Sequence, residues 1–209
     1  MYLPSQFEEK RPETMHALMC EHPLGTLVTL GGAGLNANHI PFEVDAAQGE
    51  WGTLRAHVAR ANPVWKDVSA AVEALVVFQG AQSYISPSWY PTKEKDGRAV
   101  PTYNYMVVHA YGPLRVVEDA SWLRGQLDRL SRQHEAGRSH PWQLGDAPPD
   151  YIEKLLKAIV GIEIPISRLV GKWKVSQNQP EVNRLGVERG LRGQGDDVSL
   201  AMAGAVARR

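Results

Sequence analysis

The chain of 209 residues has a single cysteine, Cys20. That scarcity excludes an internal disulfide and a cysteine-based zinc cluster, and it fits a reducing compartment. A small helix residue explains Cys20 more simply than a nucleophile does. No apolar run reaches the length of a membrane span, and no basic segment leads into a hydrophobic stretch near the start. The sequence therefore predicts neither a transmembrane segment nor a signal peptide, and the expectation is a cytoplasmic protein. Net charge is lacking too, with 23 Lys and Arg against 23 Asp and Glu. A surface built to hold duplex DNA usually carries a basic excess, so this balance argues against direct DNA binding. Two further motifs fail. His134-Glu135 followed by His140 has the wrong spacing for a zinc helix, and Gly31-Gly32-Ala33-Gly34 lacks the helix and the Lys-Ser/Thr pair of a phosphate loop.

Hydrophobic residues make up 43% of the chain, enough for one sizeable core or one domain with an appendage. Apolar spacing predicts a short helix over 13–21, then a strand over 25–30, the glycine turn, and an antiparallel partner over 35–44. A third strand is expected over 51–57, and the continuous apolar run 74–79 reads as a strand buried on both faces. Residues 102–117 read as one long strand bent at Gly112-Pro113. Helices follow, one capped by Asp119 and one opened by an Asp150/Glu153 capping box. Two last strands are expected over 162–166 and 169–175. Many short antiparallel strands with helices grouped late predict a mainly β barrel with attached helices. The expected domain is 1–191, and the Gly- and Ala-rich 192–209 are expected to form a flexible tail with a marginal helix over 198–207.

The segment Leu54-Arg55-Ala56-His57-Val58-Ala59-Arg60-Ala61-Asn62-Pro63 carries the sharpest chemistry. An imidazole and a guanidinium at the corner after a strand can offer several N–H donors to one anion, with phosphate the obvious candidate. A basic surface turn has the same pattern. Elsewhere Trp89, Tyr90 and Trp173 could form flat walls, Lys172 or Lys174 could add charge, and Asn38, Asn104, Gln177 and Asn178 could meet a ring edge. Each has a plainer explanation: Trp89 as a loop anchor, Asn104 as a turn or bulge former, the lysines as a solvated strand edge.

Taken in order, several segments resemble the PaiB family of FMN-binding negative transcriptional regulators. They are His22-Pro23-Leu24-Gly25-Thr26-Leu27, Ala37-Asn38-His39-Ile40-Pro41-Phe42, His57-Val58-Ala59-Arg60-Ala61-Asn62-Pro63, Phe78-Gln79-Gly80, Tyr84-Ile85-Ser86-Pro87-Ser88-Trp89-Tyr90 and Ser176-Gln177-Asn178. The family's Pro-Thr-Trp-Asn-Tyr run reads Pro101-Thr102-Tyr103-Asn104-Tyr105 here. The resemblance runs from Met1 to about Leu191. It implies an FMN-binding split β-barrel of the pyridoxamine-phosphate-oxidase-like kind, usually an intertwined homodimer with FMN at the subunit interface. It also implies that the phosphate lies on the His57–Arg60 segment, with Asn38, His57, Val58, Arg60, Trp89, Asn104, Lys174 and Gln177 as the cofactor residues. A regulator is one implied function, and a flavin-dependent oxidoreductase or flavin reductase of the split-barrel type is the alternative. No helix-turn-helix pattern is visible, and no acid–base pair or activated nucleophile stands out. In a flavoenzyme the cofactor carries the electron chemistry, so that second absence decides little.

Overall fold

The computed structural model describes residues 1–208. They form two compact units, one of residues 1–15, 79–108 and 170–208, the other of 16–78 and 109–169. Among the described residues no helix is long and apolar enough to cross a membrane.

The second unit begins with the helix α1 (Pro12–Glu21, shared at its start with the first unit), then β2 (Leu24–Gly31) and β3 (Gly34–Pro41). The hairpin closes where Gly31 pairs with Gly34, whose positive φ of 107° suits glycine. The expected strand 35–44 divides in two. Pro41 cannot donate to a ladder, the Phe42 N–H turns to Pro23 O, and β4 (Glu43–Asp45) pairs instead with β5 (Thr53–Ala59). β6 (Ala74–Ile85) outruns the expected 74–79, and its burial alternates rather than covering both faces. The expected bent strand 102–117 is likewise two strands, β7 (Thr102–Gly112) and β8 (Arg115–Val117), in different sheets. A Cβ at Gly112 would lie 2.1 Å from Pro165 O, so the backbone passes there only because that residue is glycine.

Asp119 caps α3 (Ala120–Glu135) through the Trp122 N–H, as expected. The Asp150/Glu153 capping box is not formed. α4 (Pro149–Lys157) starts two residues earlier than that box would set, on Pro149, which is preset for the first helical position, so Asp150 sits in the first turn and caps nothing. β9 (Ile159–Pro165) completes a sheet of order β4-β5-β9-β8, and β6-β2-β3 is this unit's share of the other. The core gathers Leu27, Phe42, Leu54, Val76, Phe78, Ile162 and Ile164, with Phe42 and Phe78 edge to face at 5.8 Å. Leu123, Leu144, Ile152 and Leu156 form a smaller cluster under α3 and α4.

In the first unit the strand order is β1 (Glu8–Glu9), β10 (Arg168–Lys174), β7, β6, with β6 and β7 contributing residues to both units. The short helix α2 (Lys93–Asp96) precedes β7. Two helices close the unit, α5 (Glu181–Gln194) and α6 (Asp197–Ala207), joined through Gly195 at φ 78° and the N-cap Asp196. The helix expected over 198–207 is present as α6, but the segment through residue 207 packs on α5 where a flexible tail is expected. Its apolar residues are the reason, since Met202, Ala203, Ala205 and Val206 are buried along with Val187 and Leu191 of α5.

Candidate functional site

In the second unit the corner after β5 is built as follows. Leu54, Ala56 and Val58 alternate into the core, with Val58 paired opposite Val160, which leaves only its backbone for a ligand. His57, on the other face, meets α3, its Nδ1 2.9 Å from Gln126 Oε1. Gln126 is fully buried and its Nε2 has no partner. Arg60 follows in the turn, and most of its donors go to the end of α4. Its N–H donates to Ala158 O (2.8 Å), Nε to Lys157 O (2.9 Å) and one terminal nitrogen to Ile159 O (3.2 Å). Lys157 and Ala158 end α4, where partial negative charge collects, so Arg60 acts as a C-terminal cap, while Ile159 opens β9. Its other terminal nitrogen pairs with Glu118.

Asn62 extends this corner. Its Oδ1 accepts from the Val64 N–H (3.0 Å), and its Nδ2 donates to Asn38 Oδ1 (2.8 Å), while Asn38 Nδ2 donates to Asn36 Oδ1 (2.7 Å). Asn38 is thereby joined to the Arg60 turn across β3 and β5. A cavity of about 450 Å³ opens beside the corner, lined by Arg60, Glu118, Ser121, Leu123, Arg124 and Lys157. His57 and Arg60 adjoin in sequence, but their partners lie on different helices.

The first unit holds a smaller polar pocket of about 220 Å³, whose walls include Tyr90, Thr102, Asn104, Lys174, Ser176 and Asn178. Asn104 is 1% exposed. Its Nδ2 donates to Ser176 Oγ (2.9 Å), and its Oδ1 is buried with no hydrogen-bond partner. A buried oxygen left without a donor costs about 1–3 kcal/mol, so a ligand donor at this point would recover that loss. Ser176 has a positive φ of 63°, a left-handed backbone that a non-glycine residue adopts at a cost and that clusters at binding sites. Lys174 Nζ donates to Thr102 Oγ1 (2.6 Å) and Tyr103 O (2.5 Å). Burial pushes the Lys174 amine below the usual lysine range, and the Lys172 ammonium pushes it the same way.

The other first-unit residues proposed from sequence have structural work. Gln177 is a staple: its Oε1 accepts from the Val175 N–H (2.8 Å) and its Nε2 donates to Gln6 O (3.0 Å) and Trp173 O (2.5 Å). Trp89 anchors its loop on α5. A Cβ at Gly186 would lie 2.0 Å from the Trp89 carbonyl oxygen, and one at Gly190 would lie 2.3 Å from the indole. A cavity of about 590 Å³ borders the same ring, between Lys93 and Arg189. Trp173 is buried, and Lys172 is buried with its amine on Tyr2 O. Cys20 is exposed, with its thiol pushed up by partial burial and by Glu21, the wrong direction for a nucleophile.

Residues 1–168 match the profile of the family described as "Putative FMN-binding domain". The chain belongs to this family. FMN is its cofactor. Among curated relatives, the chain is 30% identical to the protease synthase and sporulation protein PAI 2 of Bacillus subtilis, over 97% of this chain and 95% of that one. It is 35% identical to the uncharacterized protein AN0679 of Emericella nidulans, over 100% of this chain and 97% of that one. Among solved structures it resembles the FAD and heme binding protein of Mycobacterium smegmatis, with a TM-score of 0.58 and 17% identity, over 80% of this chain and 73% of that one. It also resembles the conserved hypothetical protein Rv2991 of Mycobacterium tuberculosis, with a TM-score of 0.60 and 11% identity, over 87% of this chain and 95% of that one. At these identities the likeness concerns the fold, a mainly β split barrel with helices, which agrees with the sequence expectation.

The polar pocket fits one end of the family's cofactor. A flavin's pyrimidine ring presents an N–H donor flanked by two carbonyl acceptors. Asn104 Oδ1 lacks a donor and Lys174 Nζ keeps one N–H beyond its two bonds, so the pocket offers an acceptor and a donor of the kinds that edge calls for. Sequence reasoning overlooked Ser176, since nothing marks a serine as left-handed, and Gln126. A signal for Gln126 exists: it interrupts the apolar stripe of α3 that carries Trp122, Leu123 and Leu127.

Proposed function

We propose that this protein holds FMN by its pyrimidine edge at Asn104 and Lys174, and that the bound flavin governs a regulatory activity. The observation that carries the reading is the buried Asn104 oxygen with no donor beside an amine held between two neutral oxygens. FMN supplies two-electron chemistry when bound, and the chain's own groups bind and orient it. A homodimer with the cofactor at its interface, as the family resemblance implies, is part of the proposal. Regulation runs through another protein or a metabolite rather than a helix laid in DNA. α5 and α6 are joined by a short turn, but α6 opens on Asp196 and Asp197 and buries Met202 and Val206, which suits neither phosphates nor a groove. Titrating the apoprotein with FMN and following flavin fluorescence should give a Kd of about 1 μM or tighter. No quenching at saturating protein would refute the reading.

For the phosphate, the Arg60 corner is proposed on its own geometry. The Lys157 and Ile159 carbonyls hold the guanidinium in place, while the Arg60–Glu118 pair is solvent-accessible and worth about 0–1 kcal/mol. A phosphate can therefore replace Glu118 at little cost. Arg60→Ala should weaken FMN about tenfold more than riboflavin, which lacks the phosphate, and lower stability by roughly 1 kcal/mol through the lost cap. Equal weakening of both ligands would remove Arg60 from that role.

A flavin oxidoreductase is the second reading, favoured by the amine placed to influence the flavin. Turnover of NAD(P)H above the free-flavin rate would support it. A mobility shift with DNA at physiological salt would instead support direct DNA reading.

A further inference from the structure

We infer that Lys174 makes the pocket a reader of flavin redox state, holding reduced, anionic FMN more tightly than oxidised FMN. This rests on the placement of the pyrimidine edge proposed above and adds a selectivity to it. On reduction, FMN takes two electrons from an external donor, such as a reduced nicotinamide or dithionite, and one proton at N5. N1 gains no proton, so a full negative charge spreads over N1 and the C2 carbonyl. The pocket answers that charge with cationic side chains, since Lys174 and Arg98 both line it. Lys174 Nζ spends two of its three N–H donors on Thr102 Oγ1 and Tyr103 O, both neutral, and no carboxylate among the described residues forms an ion pair with it. The charge that acts on it is another ammonium, Lys172, itself 6% exposed and held on Tyr2 O and over the rings of Tyr2 (5.6 Å) and Tyr105 (5.2 Å).

Two ammonium groups brought together in a partly buried place raise the local potential and disfavour each other. An anionic ring at the mouth of the pocket relieves that repulsion, whereas the neutral isoalloxazine ring of oxidised FMN offers only a carbonyl dipole there. Asn104 treats the two redox states alike, because N3 keeps its proton in both. One residue therefore supplies affinity and the other supplies discrimination. A protein of this kind fills with cofactor as the surrounding pool becomes reducing, and its occupancy can report that state.

The test measures Kd for FMN in air and for dithionite-reduced FMN under argon, and independently the midpoint potential of the bound flavin. The wild-type protein is expected to bind the reduced form at least tenfold more tightly, which places bound FMN about 30 mV above free FMN for a two-electron couple. Lys174→Met, with Lys174→Gln as a second uncharged variant, should lower the ratio severalfold while oxidised FMN still binds, with Arg98 keeping the remainder. Lys174→Arg should restore most of the preference. Asn104→Leu should weaken both states by similar factors and leave the ratio standing. An unchanged ratio in Lys174→Met with FMN still bound would overturn the inference alone. Failure of the wild-type protein to bind FMN at all would remove the reading beneath it as well.

Discussion

Asn104→Leu is expected to weaken FMN binding about 30-fold, the equivalent of roughly 2 kcal/mol for one buried hydrogen bond. Leucine repeats the branched heavy-atom skeleton of asparagine in a bulkier form with no polar atom, so the pocket loses the acceptor. Thermal stability should change by much less than binding. The substitution deletes the bond to Ser176 Oγ, but it also deletes the unpartnered Oδ1. Fluorescence titration of the variant beside the wild-type protein checks the first effect, and thermal melts followed by circular dichroism check the second. A large loss of stability with unchanged affinity would mean that Asn104 is only a bracket for the Ser176 turn.

Ending the chain after Gly195 should cost far more than removal of a loose tail. That cut removes α6 and with it Met202, Ala203, Ala205 and Val206, and it uncovers Val187 and Leu191 on α5. Full burial of a Met or Val side chain contributes about 1.5–3 kcal/mol, so Met202 and Val206 together account for roughly 3–6 kcal/mol. For a chain of this size that is a fall in Tm of about 10 °C or more. Urea unfolding and calorimetry of the shortened protein read the effect directly. A Tm within 2 °C or so of the full chain would show that α6 contributes nothing to the fold, which its buried face contradicts.

The sequence patterns disclosed most strands and the late helices, because apolar alternation and turn glycines are local signals. They failed where tertiary contact overrides local preference. α5 carries Gly186 and Gly190 in its interior, which suppress any helix signal, and only the docked Trp89 explains them. α6 was legible only as a marginal helix over 198–207, because its small residues read as looseness until α5 is there to receive them. The division of 35–44 and of 102–117 between sheets depends on Pro41 and Gly112, whose meaning comes from distant partners, Pro23 O for the residue after Pro41 and Pro165 O for Gly112.

The site shows the same division. Asn104 and Lys174 were legible as polar residues within recognisable motifs, and the structure brings them to one pocket with Ser176. Arg60 and His57 were legible as a cationic corner. That Arg60 caps α4 and His57 leans on Gln126 depends on helices some 60–100 residues away in the chain, as the separations of 97 and 69 residues show. Trp89 and Gln177 were singled out for polarity and flatness that serve the packing of α5 and the β10 corner.

The most direct measurement of the central claim compares FMN with N3-methyl-FMN, in which the only ring donor available to Asn104 Oδ1 has been replaced by a methyl group. Wild-type protein is predicted to bind the methylated flavin at least tenfold more weakly than FMN, and Asn104→Leu to bind the two alike. Equal affinity of the wild-type protein for both flavins would contradict the account, since nothing would then connect the buried Asn104 oxygen to the cofactor.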